Sequence, residues 1–539
     1  MDLVHLLESD SLSSSTVAII FSGLYLLYLI GVGIYRLYLS PYSKFPGPKL
    51  AGLTYGFMFY YDALGVGGQY IYKIQQLHEE YGSPIIRISP HELHVNDPNF
   101  YDVLFAGAPS KRDKPPTWSH AFSGFDSIFG TISHDKHRLR RNAVARFFST
   151  ASVRKLEPTI QENISRLMAV FRKYQKSGEV LHMKSAFGAL TSDIIAEYCF
   201  GVNENYIEAP DFNATVLETT EKLAKSMHIT VHYPWLPVFM NSLPEGVIEA
   251  MFGQGMAIFF ALKRHCVAKI KETVATRGDY SNVKHRTIFH DVLDNKSLPE
   301  ADKSIDRLSQ EAQALLAAGT STTSNSLAAA LVYLLLDQKR LQVLIKELEE
   351  AMPDISKPPK DAELEKLPYL SAVIEETLRL YSGISYRLTR SAPAEVLQLG
   401  EWTIPPNVAV SMHAPLIHHN PRIYPEPLSF IPERWLPSPS PPGLPSRPEG
   451  IPQANPKYLM PFSRGTRNCI GQPLAHAEIF MTLANVLRTF VRLEKDENGV
   501  EAAKGMKLYE TDRRDTDMKA DFGLAVPEMG RGDMRLILE

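Results

Sequence analysis

Ten residues near the C-terminal end restrict this chain more than any others: Phe462-Ser463-Arg464-Gly465-Thr466-Arg467-Asn468-Cys469-Ile470-Gly471. A cysteine stands between two glycines, an arginine lies two residues before it, and the helix-compatible run Gln472-Pro473-Leu474-Ala475 follows. Glycine reaches backbone conformations closed to other residues, so the pattern predicts a loop, shaped at Gly465 and Gly471, that presents one sulfur ahead of a helix. At this chain's composition the five positions Phe462, Gly465, Arg467, Cys469 and Gly471 would fall in register by chance on the order of 10⁻⁵ times per chain. A lone cysteine is ordinarily a small buried hydrophobe; the frame argues for a ligand. Cys199 and Cys266 are the only other cysteines, too few for a disulfide framework, which suits a reducing compartment where a thiolate survives.

A thiolate beside a cation is the donor that holds a haem iron axially and pushes electron density onto it. Far upstream, Leu315-Leu316-Ala317-Ala318-Gly319-Thr320-Ser321-Thr322-Thr323 sits inside a helical pattern over residues 309–336. Glycine costs about 1 kcal/mol in a helix and each threonine several tenths, so something besides propensity accounts for this composition. One account is a local opening of the helix over a haem, with a hydroxyl that steadies dioxygen and relays protons. The other is a close helix–helix contact made by small residues.

Lys366-Leu367-Pro368-Tyr369 opens a further helix that carries Glu376 and Arg379, three apart and on one face. A solvated pair of that kind contributes little; its meaning depends on what else reaches it.

At the other end, residues 16–35 carry no charge for 20 residues, enough helix to cross about 30 Å of hydrocarbon. The flanking charges are Asp2, Glu8 and Asp10 on one side and Arg36, Lys44 and Lys49 on the other, which places the C-terminal bulk in the cytosol. The sequons at Asn163, Asn213 and Asn295 then stay unglycosylated. Phe45-Pro46-Gly47-Pro48 cannot continue a helix and reads as a stiff hinge. The expected division is a short lumenal segment 1–15, a transmembrane anchor 16–36, a Pro-rich hinge 37–50 and a catalytic domain 51–539. A net charge of −3 gives no reason to invoke nucleic acid. Residues 84–95 suggest a small sheet, 149–380 long helices, and the Pro/Ser/Gly-rich stretch 436–452 a surface loop. The expected class is mainly α with minor β.

These motifs, in this order, resemble the cytochrome P450 family, whose haem loop reads Phe-x-x-Gly-x-Arg-x-Cys-x-Gly and is matched at every position here. The resemblance spans residues 46–538, and softer segments such as Glu92-Leu93-His94-Val95-Asn96-Asp97-Pro98 are similar to fungal membrane-bound members of the trichodiene-oxygenase type. It implies the P450 fold with one N-terminal transmembrane helix, heme b, and Cys469 as axial iron ligand. Arg467, Arg390, His137 and Arg141 are implied as propionate partners, His137 standing where much of the family has tryptophan. Glu376, Arg379 and Arg434 are implied as a buried structural cluster. The oxygen-side motif matches at Ala318, Gly319, Thr322 and Thr323, but Ser321 stands where an acid is expected, so Thr322 and Ser321 are the implied catalytic pair with proton delivery altered.

The implied activity is a monooxygenation of a hydrophobic terpenoid, polyketide or alkaloid intermediate, with electrons from NADPH through a separate cytochrome P450 reductase, cytochrome b5 as an optional second donor, and the endoplasmic reticulum membrane as location. No Gly-rich dinucleotide fingerprint follows a strand, which makes the reductase necessary. Arg138, Arg140, Arg141 and Arg146 are its expected basic docking patch. The expected pocket walls are residues 115–133, 227–240, 308–316, 382–389 and 522–524. Two alternatives remain at this point, a dioxygen-independent rearrangement or dehydration on the same fold, favoured by Ser321, and a haem-binding sensor.

Overall fold

Helices Thr150–Ser177, Met183–Phe200, Ile305–Leu336, Pro368–Leu380 and Gln472–Phe490 carry the core of the computed structural model, which describes residues 14–120, 126–277, 287–357, 359–495, 499 and 501–539. The expected lumenal segment up to residue 13, and residues 121–125 of one expected pocket wall, lie outside the described residues.

The longest helix, Ile305–Leu336, starts where the Ser304 hydroxyl accepts the Arg307 amide, a side-chain cap for a donor the helix itself leaves open. From Thr323 to Leu335 it is buried on every side, the state of a helix at the centre of a large core. It packs chiefly on Met183–Phe200 and also on Gln472–Phe490 and Pro368–Leu380. Pro368 opens its helix at a position where no amide is needed. The next two amides, of Tyr369 and Leu370, donate to the carboxylate of Glu347 at 2.7 and 2.8 Å.

The small sheet expected around residues 84–95 is present and larger than expected. Strands Ile85–Ser89 and Glu92–Val95 pair antiparallel, and the sheet continues through Val410–Met412, parallel to the second strand with Leu93 opposite Val410, to Leu388–Arg390. Its second half comes from some 300 residues downstream. A C-terminal hairpin, Ala520–Asp521 with Ala525–Val526, lies beside segment 382–385 through the Ser385 amide, which donates to the Gly523 carbonyl.

Helix Ser14–Ile34 continues through a π-helical turn, Tyr35–Leu39, so the apolar stretch runs over Val17–Leu39 with a mean hydropathy of 2.3 and side chains turned outward. It is long and apolar enough to cross a membrane once. The segment after this helix is tied to the first strand at Arg87. Arg87 donates to the carbonyls of Arg36 and Gly52, and a Cβ on Gly47, whose φ is +150°, would lie 2.4 Å from the Arg87 carbonyl oxygen. Pro237 sits in the first turn of helix Trp235–Ser242, where no intrahelical amide is lost. Asn163 is buried in helix Thr150–Ser177, so its sequon is closed by packing.

Candidate active site

The Cys469 loop is fastened from three directions. The Cys469 amide donates to the Phe462 carbonyl at 2.8 Å, closing the loop on itself. Gly465 has φ +71°, and a Cβ there would stand 2.1 Å from the Phe105 carbonyl oxygen and 2.3 Å from that of Ala106, so only glycine fits. Arg467 spends its guanidinium on the carbonyls of Arg112, Thr131 and Ile132 at 3.1, 2.7 and 2.6 Å. Gly471 is under no such pressure: a Cβ there would meet only the Cys469 sulfur, at 3.9 Å.

Cys199 and Cys266 are buried, whereas Cys469 has accessible surface. Burial is still the largest influence on its thiol and pushes it up; the amides of Gly471 and Gln472, at the start of helix Gln472–Phe490, and the Arg141 guanidinium pull the other way. A helix N-terminus and a cation aimed at one sulfur favour the thiolate, the form that binds iron.

A group of buried bases surrounds the loop. Burial, with Arg390 second, brings Arg467 down to about 9, and burial brings Arg390 down to about 10. His137 falls to about 2 through burial, then Arg467, Lys114, Arg141 and Arg390, and its Nδ1 is a buried atom with no hydrogen-bond partner among the described residues. Lys114 is pushed well down by burial, then by Arg390 and Arg467; its ammonium lies 4.1 Å from the Phe129 ring centroid. No carboxylate is among the hydrogen-bond partners of Arg390 or Arg467. Asp113 is the one carboxylate whose charge acts on Arg467; several buried cations gathered around one loop are costly, and an anion is the ligand such a group suits. The residues present fit a haem: a sulfur donor in a fixed loop beside cations and an open imidazole nitrogen for its two carboxylates. Lys114 escaped sequence reading, because nothing local marks one lysine in Lys111-Arg112-Asp113-Lys114 as the buried one.

Glu376 is fully buried and completely bonded. Its oxygens accept Arg379 Nε and a terminal nitrogen at 2.8 Å each, Arg434 Nε at 3.1 Å, the Ile431 amide at 2.9 Å and the Trp435 indole N–H at 2.9 Å. Burial alone would push its carboxyl up, and Arg379 and Arg434 hold it below the usual carboxylate range. Both guanidiniums also lie over the Tyr424 ring, 5.0 and 5.9 Å from its centroid. The cluster reaches the Cys469 loop through His418. Arg379 donates to its carbonyl at 2.8 Å, and its Nε2 accepts the Met460 amide at 3.0 Å, two residues before Phe462. Trp435 and His418 were not among the sequence candidates.

On the long helix the hydroxylic motif divides its work. A Cβ on Gly319 would stand 3.0 Å from Ile195, the Thr320 hydroxyl lies 2.9 Å from that of Ser192, and Thr191 donates to the Thr320 carbonyl at 3.0 Å. Gly319 and Thr320 therefore serve contact with helix Met183–Phe200, the bland alternative. The expected opening of the helix is not seen; residues 305–336 are α-helical throughout. Residues 314–319 and Thr322 keep accessible surface, Ala318 the most, and Thr322 faces Gly383, whose added Cβ would be 3.5 Å away. Thr322 donates to the Ala318 carbonyl at 2.9 Å, while Ser321 is buried and donates to Ala317 at 3.2 Å.

The cytochrome P450 family model matches residues 46–506. The chain is a cytochrome P450. Cytochrome P450 monooxygenase tpcC of Cochliobolus heterostrophus is 37% identical over 519 residues, 94% of each chain. Conidiogenone synthase PchP450 of Penicillium rubens is 35% identical over 94% of this chain and 96% of its own, and tryptophan 6-hydroxylase fscE of Fusarium equiseti 34% identical over 96% of both. This P450 is a haem-dependent monooxygenase like the family it belongs to. One expectation for its partner surface is corrected. Arg140 is not on a basic patch but buried against Asp126 and Asp302 at 2.6 Å each, and Arg146 is paired with Asp291, which leaves Arg138 and Lys136 as the unpaired exposed cations of helix His134–Val144 among the described residues.

Proposed function

We propose that Cys469 ligates the haem iron, that His137, Arg141, Arg390, Arg467 and Lys114 form the surroundings of its propionates, and that Thr322 lies on its oxygen side. The observation that carries this reading is the group of buried bases around one loop-held sulfur, with the open His137 nitrogen among them. The bound haem supplies reductive activation of dioxygen. The chain's own part is to hold the sulfur as a thiolate, to balance the propionates, and to offer a proton at Thr322 Oγ1. Net monooxygenation places one oxygen atom of dioxygen in the substrate and the other in water, consuming two electrons and two protons. With Ser321 buried and Thr322 keeping accessible surface, we assign proton delivery to Thr322 together with water.

The electrons come from NADPH through a separate reductase, and the catalytic domain works on the cytosolic face of the endoplasmic reticulum, anchored by residues 16–36, with residues 37–50 as hinge and 51–539 as catalytic domain. Accessible apolar surface at Phe129, Leu315, Ala318 and Ile384 supports a greasy substrate, a terpenoid, polyketide or alkaloid intermediate of secondary metabolism. The test is to incubate membranes containing this P450 and a reductase with NADPH, ¹⁸O₂ and an extract of a producing strain that lacks the gene. A new product carrying one ¹⁸O atom is expected. A product formed without NADPH and without label would overturn the reading in favour of rearrangement or dehydration.

A further inference from the structure

Three histidines from distant parts of the chain form one buried row. His78 lies near the end of helix Tyr70–Tyr81, His94 on strand Glu92–Val95, and His413 directly after strand Val410–Met412. His78 Nδ1 is 2.7 Å from the Ser83 carbonyl oxygen, His78 Nε2 is 2.8 Å from His94 Nδ1, and His94 Nε2 is 2.9 Å from His413 Nδ1. The last nitrogen, His413 Nε2, faces Asp521 Oδ2 at 3.7 Å. All three rings and Asp521 are buried.

Both ends of the row are acceptors, a carbonyl and a carboxylate. The three hydrogen bonds use the three protons of three neutral imidazoles, which leaves His413 Nε2, a buried nitrogen with no hydrogen-bond partner among the described residues, bare in front of Asp521. A neutral row therefore points a bare lone pair at an oxygen. Burial lowers all three rings, His78 to about 4, which by itself favours neutrality; Asp521 is the neighbour that pulls His413 back up. The other charged groups near His413, Arg387 and Glu92, already pair with each other at 3.0 Å, so neither supplies Asp521 with a counter-charge. Its remaining titratable neighbours, Tyr72, Tyr386 and His228, carry no cation at neutral pH; burial lowers His228 as well. The other Asp521 oxygen accepts the Ser385 hydroxyl at 2.7 Å and the Gly523 amide at 3.0 Å.

We propose that the row His78–His94–His413 carries one proton more than three neutral rings, that this imidazolium is the counter-charge of the Asp521 carboxylate, and that Asp521, so held, is the positioning residue that clamps segment 382–385 to the hairpin tip 521–524. The consequence for substrate selection rests on the pocket proposed above, since both segments are among its walls and Gly383 abuts Thr322. Phe522, next to the clamp, meets the His228 ring at 4.7 Å between centroids.

The test uses the full-length haem-loaded enzyme in detergent, labelled with ¹⁵N-histidine and held as the diamagnetic ferrous carbonyl complex. In wild type, one ring is expected to remain doubly protonated at about pH 8, well above the ordinary imidazole pKa of about 6.5. Asp521→Asn keeps the hydrogen bonds from Ser385 and Gly523 on its oxygen and turns a neutral amide toward His413 Nε2, and the doubly protonated ring is expected to vanish. Its absence from wild type, or its survival in Asp521→Asn, would overturn the proton assignment. The clamp is read by the binding of 4-phenylimidazole relative to imidazole. That ratio is expected to fall about tenfold in Asp521→Ala and to stay within about threefold in Asp521→Asn. An unchanged ratio in folded Asp521→Ala overturns the clamp. An unchanged ratio in Ile384→Ala, a variant of the wall itself, overturns the pocket reading, whatever the histidine spectrum shows.

Discussion

Arg141 holds Asn468 twice, donating to its backbone oxygen at 2.7 Å and to its side-chain oxygen at 2.8 Å, one residue before Cys469. The same guanidinium favours the thiolate. Arg141→Ala removes both bonds and the charge, an expected loss of about 2–3 kcal/mol at the loop. Haem release into excess apomyoglobin should be clearly faster than in wild type, with Arg141→Lys between the two because it keeps the charge but not the paired geometry.

Glycine is required at Gly465 and not at Gly471. Gly465→Ala forces a methyl into the Phe105 and Ala106 carbonyls, and no haem-loaded protein should be recovered. Gly471→Ala should leave thermal stability within about 1 kcal/mol while altering the haem spectrum, since its methyl would point at the sulfur. Equal behaviour of the two variants would contradict this reading of the loop.

Glu376→Ala strands two buried guanidiniums and should cost about 3–5 kcal/mol, enough to prevent haem incorporation. Trp435→Phe removes one of five donors and should cost about 1–2 kcal/mol with haem retained. The pH dependence has a definite sign. The folded Glu376 carboxyl is held below its unfolded value of about 4.3, so its contribution is present above that pH and is lost as the pH falls through the folded value. Stability measured by denaturant between pH 5 and 3 should fall less steeply in Glu376→Gln than in wild type.

Thr322→Ala should keep NADPH consumption while product per NADPH falls severalfold, and Thr322→Ser should restore most of the coupling by keeping a hydroxyl. Fully retained coupling in Thr322→Ala would remove Thr322 from the proton path. Gly319→Ala should act differently, destabilising the fold by about 1–3 kcal/mol through Ile195 without a specific loss of coupling.

Much of this site was legible because its signals are local. The cysteine loop, the Glu376–Arg379 spacing, the long apolar helix and the Thr-rich stretch each declare themselves within about twenty residues. What stayed hidden depends on chain segments meeting across the fold. His94 and His413 touch only because Leu93 aligns with Val410 in a parallel pair, and no pattern in either segment shows it. Trp435 looked like an aromatic beside Arg434, and only the turn Pro432–Trp435 aims its N–H at Glu376. Arg140 read as a surface cation because its partners Asp126 and Asp302 lie on either side in sequence at distances that no helix periodicity connects. Gly319 and Thr320 matched a motif yet pack on Ile195 and Ser192, since one helical stripe meets a neighbouring helix while the next faces open space.

The central claim is that Cys469 is the iron's axial ligand, and the ferrous carbonyl spectrum tests it most directly. Wild type should show the red-shifted Soret band that thiolate ligation confers, and Cys469→His, if it retains haem, should show the shorter-wavelength band of an imidazole-ligated iron. A wild-type protein with the imidazole-type band, or a Cys469→His variant that keeps the thiolate-type band, would contradict the account.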